Sequence, residues 1–123
     1  MLTHQAAEHI VDTYMRCLSE GDLEGIMALY ADDATVEDPV GSGVLAGKAA
    51  IREFYGHTVA MDITAERTGA VRCAANEMVF PFLVHARTAD MAITYEIIDH
   101  FVVDGEGRVV SMRAFWSEAN IRH

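Results

Sequence analysis

The first third of the chain carries its apolar residues at helical spacing. Ala7, Ile10, Val11, Tyr14 and Leu18 recur at i, i+3, i+4, i+7 and i+11, which predicts one buried stripe of an amphipathic helix. Thr3 suits its N-cap and Gly21 its C-terminal stop. Asp22 then caps a short second helix with the stripe Leu23, Ile26, Met27 and Tyr30. Gly47, Ala50, Ile51, Phe54 and Tyr55 mark a third, preceded by the glycine-rich segment Gly41 to Gly43. Between the second and third helices, Ala34 to Pro39 reads as a short strand. It puts Ala34, Val36 and Asp38 on one face and ends at the proline. From Asp62 onward the period changes to two, and strands are expected over about 62–73, 77–87, 91–103 and 108–117. Ala74 to Asn76, Thr88 to Asp90 and Asp104 to Gly107 supply the connections. Helices first and antiparallel strands afterwards predict an α+β fold, the helices packed on one face of a curved sheet.

Composition narrows the partners. At 123 residues and 51% apolar, the chain is long enough for one core, and residues 1–123 read as one domain without repeat or linker. The 19 acidic residues against 9 basic ones give a formal charge of −10, which argues against nucleic acid or an anionic membrane surface as partner. No apolar run approaches the roughly 18 residues that span a bilayer, and the first eight residues carry no signal-peptide pattern. Cys17 and Cys73 are too few and too far apart for a disulfide framework or a zinc site, so a reduced, cytoplasmic setting is expected. The six histidines show no ligand spacing, and no metal or cofactor motif is present.

The informative residues are polar groups on faces that should be apolar. Met91, Ile93, Tyr95, Ile97, Asp99, Phe101 and Val103 share one face of the third long strand, while Thr94, Glu96 and His100 occupy the other. Asp99 thus interrupts an apolar ladder. A carboxylate there costs several kcal/mol if charged and unpaired, so it is either protonated or partnered, or it lies in a wet or salt-bridged spot near the strand end. Asp38 shares its face with Ala34 and Val36, but an aspartate before a proline is also an ordinary turn former. Tyr14, Tyr30 and Tyr55 fall on buried stripes, as plain core or as a hydroxyl network ordering one donor.

Several stretches resemble ketosteroid isomerase, the steroid Δ5-3-oxo isomerase family of the NTF2-like superfamily. They are Gly21-Asp22-Leu23-Glu24-Gly25-Ile26, the run from Tyr30 through Ala31-Asp32-Asp33-Ala34-Thr35-Val36-Glu37-Asp38-Pro39 to Gly41, Ala50-Ile51-Arg52-Glu53-Phe54-Tyr55, Ile98-Asp99-His100-Phe101 and Gly107 to Ala114. The resemblance implies an NTF2-like cone, a curved mixed or antiparallel sheet with three helices on its concave face. It further implies Asp38 as general base, Tyr14 and a protonated Asp99 as the oxyanion hole, and Tyr30 and Tyr55 as hydrogen-bond support behind Tyr14. Phe54, Phe82, Val84, Phe101, Met112 and Trp116 would line an apolar steroid slot. The family's known chemistry carries a proton from C4 to C6 through a dienolate, with no cofactor and in a homodimer. Residues 57–66 and 85–92 match only loosely. A polyketide-cyclase-like NTF2 enzyme and a non-catalytic module binding a hydrophobic ligand remain alternatives. A cyclase need not keep Tyr14, Asp38 and Asp99 together, and a binder has no need of Asp99 on its apolar face.

Overall fold

In the computed structural model, which describes residues 2–123, the first helix begins and ends at its capping residues. The Thr3 side chain accepts a hydrogen bond from Ala6 N–H at the start of α1 (His4–Glu20), and Gly21 closes it in the left-handed region at φ 67°. The expected stripe is buried from Ala7 to Leu18. Asp22 caps α2 (Leu23–Leu29) by accepting from Gly25 N–H at 2.9 Å. The helix is shorter than its apolar stripe predicts. Tyr30 is extended (φ −97°, ψ 143°) and opens β1 (Tyr30–Glu37), so its buried ring belongs to the sheet and not to a helical face.

A two-residue strand β2 (Leu45–Ala46) leads into α3 (Lys48–Val59). The remaining strands are β3 (Asp62–Arg67), β4 (Arg72–Ala74), β5 (Glu77–Arg87), β6 (Ala92–Val103) and β7 (Val109–Phe115). A 3-10 turn, Glu118–Asn120, then returns the chain to a final β8 (Ile121–Arg122). The sheet runs β2-β1-β7-β6-β5-β3, with β4 alongside β5 and β8 alongside β6. β1 and β7 pair in parallel. The helices cover one face of this mixed, curved and unclosed sheet, α1 against β3 and α3 against β1.

The expected strand over residues 62–73 is in fact two. Both pieces pair with β5, and the break falls opposite Pro81. Thr68 N–H donates to Pro81 O at 3.0 Å, but a proline has no N–H to return, so the ladder stops there. Gly69 then passes so close that a Cβ would meet Pro81 Cγ at 3.0 Å. The core beneath is aromatic: the Tyr14 ring meets Phe101 edge-on at 5.3 Å and Phe80 and Phe82 at 6.5 Å each. Such pairs contribute about 0.5–1.5 kcal/mol each beyond their area, and they fix the direction of the Tyr14 phenol.

Candidate active site

Three elements deliver the polar groups into one cavity. Tyr14 comes from the middle of α1, Asp38 from the residue after β1, and Asp99 from the inner face of β6. All three line a cavity of about 220 Å³, together with Tyr55 from α3. Tyr14, Tyr55 and Asp99 are buried, while Thr58 and the exposed Met61 also line it.

Asp99 is 1% exposed, and neither carboxyl oxygen has a hydrogen-bond partner among the described residues. Across the sheet it faces Phe80 on one side and Ala114 on the other, with Ile97 and Phe101 along its own strand face. Burial, and then the charge of Asp38, push its pKa well above the ordinary carboxylate range. Burial without a partner thus favours the neutral acid, the form that has a proton to donate. The sign of its contribution to stability follows. The folded chain holds this proton from the unfolded value of about 3.9 upward, so stability falls as pH rises through that window. Denaturant unfolding of wild type should lose up to about 1.4 kcal/mol per pH unit from this group. Asp99→Asn should flatten that slope, and an unchanged slope would contradict a neutral Asp99.

The phenols form a chain. Tyr30 and Tyr55 hydroxyls lie 2.6 Å apart, and Tyr55 and Tyr14 hydroxyls 2.8 Å. If each donates towards the cavity, Tyr14 accepts from Tyr55 and keeps its own O–H for a ligand. Burial first, and the nearby Asp99 second, raise the Tyr14 pKa well above 10, so the phenol stays protonated.

Asp38 lies in a half-buried position. Burial raises its pKa, and a hydrogen bond from Trp116 Nε1 to its Oδ1 at 2.7 Å works the other way. The loop behind it is tied down twice: Val40 N–H donates to Ala114 O at 2.8 Å, and Glu37 accepts from Gly41 N–H at 2.9 Å while pairing with Arg113 at 3.3 Å. Glu37 is thus a tether for the loop carrying Asp38.

Of the six residues expected to line the slot, Phe54, Phe82, Val84 and Trp116 do. Phe101 and Met112 do not. They are neighbours across β6 and β7, each 1% exposed, and fill the core instead. The family resemblance places Phe101 and Met112 in the slot, but the cavity stops short of them. Tyr95 and Ile97 take their place in the wall. Both were on the apolar face of the expected strand, and only the position of the cavity along that face was hidden. Among the described residues no cluster of His, Cys, Asp or Glu is arranged to hold a metal ion, and no helix is long and apolar enough to cross a membrane.

A cone-shaped sheet closed by three helices over an acid-lined apolar cavity defines a class, and the sequence comparison agrees. The chain belongs to the SnoaL-like domain family, which matches residues 11–112, within the NTF2-like group. It is 40% identical over 111 residues to a steroid Δ-isomerase of Nocardioides simplex, covering 90% of this chain and 89% of that one. Among solved structures it superposes with a TM-score of 0.91 on SalBIII, an epoxide hydrolase/cyclase-like enzyme with a role in pyran ring formation in the polyether salinomycin. The two share 29% identity, and the match covers 98% of each chain. RV0760c of Mycobacterium tuberculosis shares the fold at 23% identity and a TM-score of 0.86, over 99% of this chain and 98% of that one.

Proposed function

We propose that the chain is a steroid Δ-isomerase that converts 3-oxo-Δ5-steroids into 3-oxo-Δ4-steroids. The observation that carries this reading is the pairing of two buried donors, Asp99 and Tyr14, with a half-buried carboxylate, Asp38, in one apolar cavity. An acid with no partner of its own, beside a phenol with a free O–H, is suited to hold a developing oxyanion. A carboxylate is too weak a base to remove a carbon-bound proton unless the resulting charge is stabilised in the same dry space.

In this reading the steroid ketone accepts hydrogen bonds from Tyr14 and Asp99. Asp38 removes the C4 proton, the electron pair moves into the dienolate, and its charge rests on the 3-oxygen. Protonated Asp38 then delivers the same proton to C6 as the dienolate collapses to the conjugated ketone. The steps are those known for the ketosteroid isomerase family, and the relative at 40% identity supports carrying them to this chain. Tyr30 and Tyr55 support the donor from behind, and Phe54, Phe82, Val84 and Trp116 supply apolar wall. The free thiols Cys17 and Cys73 fit a reducing, cytoplasmic setting.

The test is ultraviolet absorbance of purified protein with 5-androstene-3,17-dione and no added metal or nucleotide. Growth of the conjugated-enone signal supports the proposal, and a flat trace from folded protein rejects it for this substrate. In that event the likeness to the cyclase-like SalBIII favours ring-forming acid–base chemistry in the same cavity.

A homodimer belongs to the same reading. On the outer face of the sheet Pro81, Ile98 and Phe115 lie in one row across β5, β6 and β7, with Ile98 49% and Phe115 44% exposed. Sedimentation of wild type is expected to give a dimer, and Ile98→Glu with Phe115→Glu a monomer. A wild-type monomer at micromolar concentration would reject this part.

A further inference from the structure

Trp116 lies one residue beyond β7, so no sheet ladder holds its backbone, yet its indole N–H meets Asp38 at 2.7 Å. A side chain on an unpaired segment keeps one orientation only if its neighbours leave it no other. Two contacts do this, and both involve Tyr95. The Tyr95 ring meets the Trp116 ring edge-on, with centroids 5.4 Å apart and planes at 75°. After Trp116 the chain makes a tight turn. Ser117 N–H donates to Asn120 Oδ1 at 3.0 Å, and Asn120 N–H donates to Ser117 O at 2.8 Å. That turn brings Ile121 back beside β6, where it pairs with Tyr95. Tyr95 thus engages the tail on both sides of the turn, by its backbone strand and by its ring.

We propose that Tyr95 is a positioning residue for Asp38: its ring holds the Trp116 indole so that the N–H stays aimed at the carboxylate. The contact is made by the ring, and the phenolic oxygen has no part in it. The titratable groups that share the cavity with Asp38 are Tyr14 from α1, Tyr55 from α3 and Tyr95 and Asp99 from β6, with the Trp116 indole from the tail, while the adjacent Glu37 is paired with Arg113. Tyr14, Tyr55 and Asp99 are neutral by virtue of burial. Trp116 is then the one group among these that favours the ionised form of Asp38. Loss of its alignment should leave burial unopposed and raise the pH at which Asp38 ionises.

The chain has one tryptophan, so ¹H–¹⁵N spectra contain a single indole N–H signal. In wild type that signal should lie downfield at neutral pH and move upfield as Asp38 takes up a proton, followed in parallel by carboxyl ¹³C shifts. In Tyr95→Ala the signal should already lie upfield at neutral pH. The Asp38 midpoint should rise by about one pH unit, the effect of one hydrogen bond to a charged group. Tyr95→Phe keeps the ring and should retain both wild-type values. Should Tyr95→Ala not fold, Tyr95→Leu is read in the same way.

The proposal is overturned if the small variant keeps the wild-type indole signal and midpoint, or if Tyr95→Phe matches it, since the hydroxyl would then be the acting group. The kinetic arm rests on the isomerase reading: the acid limb of kcat/KM should move with the midpoint. The spectroscopic arm needs no turnover. A protein that fails to isomerise the steroid but shows the indole response would reject the isomerase and keep the role of Tyr95.

Discussion

Asp38→Asn is expected to lower kcat by at least roughly 10²–10⁴-fold, the usual contribution of a positioned general base. The substitution is nearly isosteric. An amide oxygen can still accept the Trp116 N–H now held at 2.7 Å, so the loop and the cavity wall should keep their shape. What is lost, in the proposed mechanism, is the ability to take a proton from carbon and return it. KM should therefore move much less than kcat, and binding of a phenolic steroid should persist. Stopped-flow absorbance of the enone, with melting temperature as a control, makes the measurement. Wild-type turnover in a folded Asp38→Asn would remove the base assignment. The pH profile supplies a second check. In the proposed role Asp38 acts ionised, and burial raises its pKa, so the acid limb of kcat/KM should lie above the ordinary aspartate value of about 3.9.

Tyr14→Phe should cost roughly 10²–10³ in kcat, as for removal of one oxyanion donor. The ring remains, and with it the edge contacts to Phe80, Phe82 and Phe101, so the core is not opened. Two things change. The donor to the ligand oxygen disappears, and the Tyr55 hydroxyl loses its neighbour at 2.8 Å. The second change should appear as about 1–3 kcal/mol in unfolding free energy, the cost of a buried hydroxyl left with one partner fewer. A loss of stability with unchanged kcat would make Tyr14 a structural member of the phenol chain. A loss of kcat with Asp99 still present would instead show that one donor cannot carry the charge. Because Asp99 and Tyr14 face the same oxygen in this reading, their combined removal should cost less than the product of the single effects.

Much of this was legible in the residues themselves. The α1 stripe from Ala7 to Leu18, the alternation along β6 and the anomaly of Asp99 on an apolar face are local patterns, and the fold preserves each of them. Other features were not. Tyr30 fits a helical stripe by spacing, but α2 ends at Leu29 and the residue serves the sheet. The interruption between β3 and β4 depends on Pro81, which lies on a different strand and denies them an N–H. Phe101 and Met112 share the inner face with true cavity residues, and only the depth of the cavity separates the two sets. Strands as short as β2 and β8 have too few residues to show a period. The hydrogen bond between Trp116 and Asp38 joins positions 78 residues apart, beyond the reach of any local pattern.

That separation bears on how the site comes into being. The parallel pairing of β1 with β7 closes a loop of most of the chain, and it alone brings the Asp38 segment beside Ala114 and Trp116. Long-range closures of this kind are entropically late steps in folding. A partly folded chain can hold α1 with Tyr14 and the β5–β6 hairpin, with its buried acid, before Tyr30 joins β7 and before Asp38 has either its anchor or its indole donor. If Tyr14 and Asp99 are the oxyanion donors and Asp38 the base, as proposed, then in refolding the capacity to bind a phenolic ligand should return ahead of turnover.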